Sequence, residues 1–392
     1  MILLALAAVG IPAALTASAG AKAPKRKPIV IGFSGAQSGF YTLFDVPTLI
    51  GMKIAIRDIN AKGGVLGRPL KLVTSDSKSD INTGVSATLD VINKGASLVV
   101  PMIGADQGGP SARVAQQHGI LSITGSGSPK FGYQGVGPLA FNSYPGDQVE
   151  ATIDAEYAYA HRLRHPYVLC DISDDYNRAT CKYFQERFKQ LAGNRSIVGY
   201  DTYQQKDPSI ATQIARLRSS GKYDMILLGD YPPSGASAIR QLRSAGVTVP
   251  IYGAAAFDGN YWHGAIPHLS NFFNPTLGSI FGDDPNHQIT QVFKVYKRIA
   301  GSPPATSVYP LIGYTNVELF ARAVAKAHST AGKKLAAVLD KFHNQRFLVG
   351  RISYTKTCHI PIGLPMAMMS TTNGRTHFVG RFKAKKIPPS PC

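Results

Sequence analysis

Acidic residues are scarce in this chain. Only 23 Asp and Glu stand against 42 Lys and Arg, for a formal net charge of +19. Such an excess attracts polyanions, yet no zinc-finger spacing, RNP-like Gly-aromatic motif or basic helix occurs, so nucleic acid is not expected as a partner. The basic residues are scattered, which is the pattern of a solvated surface. Cysteine is also rare, with four residues and no C-x-x-C pair, which removes the zinc-knuckle and redox-centre readings. There is no P-loop, no H-E-x-x-H and no G-x-S-x-G elbow, so phosphoryl transfer, zinc hydrolysis and serine esterase chemistry lack their residues. No enzyme, metal or cofactor is expected. After the first 21 residues no apolar run reads as a transmembrane helix.

Those first residues, Met1 to Ala21, carry no charged side chain and end in small residues around Ala17-Ser18-Ala19 and Ala19-Gly20-Ala21. The pattern is that of a cleaved secretory signal (residues 1–21) without the usual positive n-region. No Cys precedes Cys170, so a lipoprotein anchor is not expected, and the chain is read as periplasmic or secreted. In an exported chain four cysteines fit disulfides. Of three possible pairings, the local ones are favoured: Cys170 with Cys181, and Cys358 with Cys392.

The composition is globular, with 44% apolar residues and 39 glycines. Strand and helix signals alternate. Ile29–Phe33 reads as a buried strand, followed by a helix from about Pro47, a strand near Leu70–Ser75, a helix after Asp80, a strand at Leu98–Val100, a helix opened by Pro110 and a strand at Ile120–Thr124. The pattern resumes with strands at Tyr167–Leu169, Ile197–Tyr200, Met225–Leu228 and Val249–Tyr252. Helices fall at Thr180–Leu191, from Asp207-Pro208, and at Pro233–Ala245. Such alternation means βαβ units and parallel sheets, here two of them. Helices at Gln288–Ala300, Val308–Ala327 and Lys333–His343 follow, then strand-like pieces at Arg351–Ser353, Met366–Ser370 and His377–Val379.

Ligands of open parallel sheets bind beyond the carboxyl ends of strands. That rule selects the loops Ser34–Tyr41, Gly104–Gly109, Gly125–Lys130, Asp171–Asn177, Asp230–Ser234 and Ala254–Asn260. Tyr41, Tyr176, Tyr231 and Phe257 on them offer apolar walls with polar tips.

The stretch Asp58-Ile59-Asn60-Ala61-Lys62-Gly63-Gly64-Val65-Leu66-Gly67-Arg68, with Ile29–Phe33, Ser38-Gly39, Gly119–Leu121 and Phe141–Asp147, closely resembles the type I periplasmic binding proteins of the branched-chain amino acid transport type. The likeness covers residues 28 to about 379. It implies an α/β fold of two doubly wound parallel-sheet lobes joined by three crossover strands, with a ligand cleft between them: residues 28–142 plus 281–347 in lobe 1, and 143–280 plus 348–392 in lobe 2. It also implies a monomer that closes on a small polar molecule and delivers it to the permease subunits of an ABC transporter, a sensing receptor of the same fold being the alternative. Family members hold a ligand carboxylate on loops that here read Gly104-Ala105-Asp106-Gln107 and Gly125-Ser126-Gly127-Ser128, with Ala105 where a serine is frequent. Tyr176 and Tyr231 match second-lobe positions. The acid that pairs with an amino acid's ammonium is replaced by Ala255, and the nearest acid is Asp258. The expectation is therefore a carboxylic acid, an amide or an aromatic acid, with an amino acid paired to Asp258 as runner-up.

Overall fold

The computed structural model describes residues 26–128, 130–300 and 307–388. The signal segment and Cys392, hence the Cys358–Cys392 pairing, lie outside them.

Strands β1 (Ile29–Ser34), β2 (Leu70–Thr74), β3 (Leu98–Pro101), β4 (Leu121–Thr124) and β5 (Ala140–Asn142) alternate with helices α1 (Thr42–Ala61), α2 (Ile81–Asn93) and α3 (Ala105–Gln117). The strands form a parallel sheet in the order β2-β1-β3-β4-β5. β3 and β4 are buried throughout and β1 nearly so, which is why they read as unbroken apolar runs. The glycine-rich stretch after α1 is locked by Asn60: its amide donates to the Leu70 carbonyl (2.9 Å) and accepts the Leu70 N–H (2.7 Å). A polar side chain thereby replaces ladder bonds at the α1–β2 turn.

The chain then crosses to a second lobe. Helix α4 (Asp147–Ala160) is followed by β6 (Pro166–Asp171), α5 (Asp175–Ala192), β7 (Gly199–Tyr203), α6 (Ala211–Ser219), β8 (Met225–Gly229), α7 (Ser234–Ser244), β9 (Ile251–Gly253) and β10 (Phe272–Thr276). It returns through α8 (His287–Ala300), α9 (Tyr309–Ala327) and α10 (Gly332–Leu339), which complete the first lobe, α9 lying along α1. After the small hairpin of β11 (Gln345–Phe347) and β12 (Gly350–Ile352) it crosses a third time, and β13 (Met366–Thr372) and β14 (Arg375–Phe382) extend the second sheet. That sheet runs β14-β13-β10-β9-β8-β6-β7, parallel except for the terminal hairpin.

The first and third crossings are tied together. The Asn142 N–H donates to the His359 carbonyl (2.8 Å), the Tyr354 hydroxyl donates to the Asn142 carbonyl (2.5 Å), and the Phe141 and His359 rings stack at 3.7 Å. Cys170 at the end of β6 is bonded to Cys181 in α5.

Several elements begin elsewhere than the sequence reading placed them. Helices α1 and α3 start one turn before Pro47 and Pro110, which lie inside them. A proline costs only one hydrogen bond there and does not set the boundary. Asp207 does not cap a helix: its carboxylate accepts the Gln204 N–H (2.9 Å) in a turn, and α6 starts at Ala211. Helix α4 and strand β10 were not anticipated.

Candidate functional site

All six strand-end loops converge on one cavity of about 710 Å³, counting its mouth, between the two sheets. The first lobe supplies Tyr41, Ile103, the start of α3 at Ala105, Asp106 and Gln107, and the β4 loop Gly125-Ser126-Gly127. The second supplies Asp174, Asp175, Tyr176, Tyr231, Ala255, Ala256 and Thr276. A third segment, the start of α9, closes one side with Val308, Tyr309 and Ile312.

Aromatic rings dominate the walls. Phe44 lies 5.9 Å from Tyr231 and 5.1 Å from Tyr309, and Tyr176 lies 6.4 Å from Tyr231, centroid to centroid. Their hydroxyls are engaged. Tyr41 accepts from the Gln107 amide (2.6 Å), Tyr231 donates to Asp174 (2.7 Å), Tyr144 donates to Glu150 (2.5 Å), and Tyr176 accepts the Ala256 N–H (3.2 Å). Burial, with the Asp174 carboxylate second, pushes the Tyr41 phenol up to about 12. Gly127 has φ +71°, and a side chain there would press on Asp147 and the Tyr176 ring, so only glycine fits this floor position.

The lobes touch across the mouth. Ser128 donates to Asp175 (2.7 Å), Lys130 pairs with the same carboxylate (2.6 Å), and the Asp175 N–H donates to Asp106 (3.1 Å). This is a closed arrangement.

Three expected site residues lie elsewhere. Ser128 turns its hydroxyl to Asp175 and does not line the cavity. Phe257 sits at the end of a 3₁₀ turn that drives its ring into the second-lobe core, 5.2 Å from both Trp262 and Phe272. Asp258 accepts the Val308 N–H, tying the second lobe to α9 behind the wall. Asp258 is therefore not a shifted partner for a ligand ammonium. Asp106 lines the cavity as expected, and Asp174 and Asp175, which were not singled out, join it there. Of the residues the sequence reading did not single out, Asp174 carried a signal, because it caps α5 by accepting the Asn177 N–H (2.9 Å). Phe44, Tyr144 and Tyr309 carried none.

Buried carboxyls surround the site. Asp45 bridges two first-lobe loops by accepting the Ala36 (2.7 Å) and Ile103 (3.0 Å) N–H groups. Burial raises Asp45, Glu150, Asp230 and Asp258 each to about 7. The folded protein keeps these protons between pH 4 and 7 while the unfolded chain releases them, so stability falls as pH rises through that window. Asp76, held low by hydrogen bonds from Ser38 and neighbouring N–H groups against its modest desolvation, acts only at more acid pH. Thermal melts are expected to give a midpoint several degrees higher at pH 5 than at pH 8; a midpoint that climbs with pH over this range would contradict the assignment.

Residues 28–375 match the model of the family described as periplasmic binding protein. The chain is 26% identical over 229 residues to the Leu/Ile/Val-binding protein of Escherichia coli, which covers 57% of this chain and 60% of that relative. It is 25% identical over 323 residues to the leucine-specific-binding protein of Salmonella typhimurium, covering 81% of this chain and 84% of the other. Among solved structures, the branched-chain amino acid transporter substrate-binding protein of Streptococcus pneumoniae in complex with isoleucine superposes with a TM-score of 0.77 at 22% identity, over 91% of this chain and 99% of that one. A solute-binding protein of R. palustris in complex with benzoate superposes with a TM-score of 0.72 at 16% identity, over 93% and 99%.

Proposed function

Because the chain belongs to the periplasmic binding protein family, we propose that it is an extracytoplasmic protein that captures a small polar solute between its lobes and delivers it to an ABC importer. The observation that carries this reading is the cavity itself. It lies at the carboxyl ends of both sheets, takes residues from both lobes and is bounded by a closed mouth. A ligand there touches both lobes only when they are together, so it stabilises the closed form and closure reports occupancy. Its aromatic walls with polar tips suit amino-acid-like molecules, carboxylic acids or amides; leucine, isoleucine, valine and benzoate are the ligands named for relatives and structural neighbours. Export fits the N-terminal segment and the family.

Titration of the purified protein with a panel of amino acids, carboxylic acids, amides and amines, with solution scattering at saturation, tests capture. A ligand that binds in the micromolar range or tighter and compacts the molecule supports it; a panel without a binder and a scattering profile that never changes would count against it. Delivery is read as solute uptake lost on deletion of the gene and restored by the wild-type copy.

Asp175 is the latch. Its carboxylate takes the Ser128 hydroxyl and the Lys130 ammonium from the opposite lobe. Asp175→Ala is expected to weaken ligand binding about tenfold, the order of one lost charged hydrogen bond, and to enlarge the radius of gyration of the ligand-saturated protein. An unchanged radius and affinity would remove Asp175 from this role.

A further inference from the structure

We propose that the cleft takes a small organic cation, an amine or quaternary ammonium ion, with its charge among the tyrosine rings between Asp106 and Asp174. The proposal rests on the solute-capture reading and names its ligand class. Among the described residues no Lys, Arg or His lines the cavity, although the chain carries 42 Lys and Arg. Three carboxylates do line it. Asp175 is neutralised by Lys130, whereas among the described residues no basic side chain pairs with Asp106 or Asp174.

The side-chain donors that would hold an anion are missing or spent, which leaves only backbone N–H groups at the start of α3. Ala105 has no hydroxyl. The Ser126 hydroxyl donates to Asn142 (2.7 Å), that of Ser128 to Asp175 (2.7 Å), and the Gln107 amide to Tyr41 (2.6 Å). Asp106 itself stands in the first turn of α3 and offsets the positive end of that helix. An anion would enter beside two carboxylates that no basic side chain offsets among the described residues and meet like-charge repulsion. A cation meets the opposite sign and the rings of Tyr41, Tyr176, Tyr231 and Phe44 that line the cavity, the residue types that recognise ammonium groups.

The test is calorimetry at fixed ionic strength with tetramethylammonium and n-butylamine as cations, leucine as zwitterion and benzoate as anion, on the wild type and on Asp106→Asn and Asp174→Asn. Asparagine at 174 still caps α5, and Asp106 is exposed, so both variants change charge while keeping the fold, which their melting midpoints verify. At least one cation is expected to bind 100-fold more tightly than benzoate, with each variant weakening it tenfold or more. Benzoate or leucine binding while both cations fail overturns the proposal and leaves solute capture standing. Cation binding that neither variant weakens also overturns it. Failure of every probe, with unchanged scattering, defeats the cation assignment and counts against the capture reading with it.

Discussion

Gly51→Val is expected to lower soluble yield sharply and to drop the melting midpoint by many degrees. Gly51 in α1 and Gly313 in α9 face each other's backbone across the tightest helix pair of the first lobe. A methyl group at Gly51 would fall inside the van der Waals envelope of the Pro310 carbonyl, and one at Gly313 inside that of the Thr48 carbonyl. Neither obstacle is the end of a flexible side chain. Relief therefore requires the helices to separate, pulling Met52, Leu311 and Ile312 out of the core they share. Overpacking of a tight core typically costs about 1–3 kcal/mol and sometimes more, and the rigid obstacle places this site at or above the upper end. Gly264, where an added methyl group would meet no atom within 4 Å, is the control: Gly264→Ala should melt like the wild type. Soluble yield and the thermal midpoint check both. A Gly51→Val protein that melts within about 2 °C of the parent would show that the pair is looser than described.

Removing the Cys170–Cys181 bond has the second largest expected effect. The bond closes a short loop that contains Asp174, Asp175 and Tyr176, three cavity-lining residues. Closing a loop of this length restricts the unfolded chain by about 2–3 kcal/mol. The Cys170→Ala/Cys181→Ala double variant should lose that much in denaturant unfolding. It should also bind ligand less well, because the loop that presents the second-lobe wall gains freedom. Both sulfurs are buried, so alanines avoid stranding polar atoms. Unfolding midpoints with and without reductant on the wild type should show the same difference; equal midpoints would leave the bond without the stabilising role assigned to it.

Much of this architecture was legible in the residues because buried parallel strands announce themselves. Ile29–Phe33, Leu98–Val100 and Met225–Leu228 each sit in a sheet interior as read. Helix α4 is buried on nearly every side, so the polar residues Asp147, Gln148, Glu150, Thr152 and Asp154 are interleaved with its short apolar stripe of Val149, Ile153 and Tyr157 and mask it in the sequence. The strand-end rule found the six loops of the cleft, since topology alone decides which ends face the other lobe. It could not find which way a side chain turns on a loop. Phe257 and Asp258 differ from Ala255 and Ala256 by one step of a 3₁₀ turn, and that step moves them from cavity to core. Nor could it find Tyr309, which reaches the cleft from a helix far along the chain.

That same return of the chain governs when the protein can become itself. The first lobe begins with β1 and α1 but is finished by α8, α9 and α10, and the second acquires its outer hairpin later still. During synthesis, the side of α1 that receives α9 stays uncovered until residues from the far side of the second lobe arrive. Contacts so distant in sequence form slowly, and an exposed apolar face invites association meanwhile. The lobe made first in the sequence is thus completed late in time, and through that delay the nascent chain stays loose before it locks.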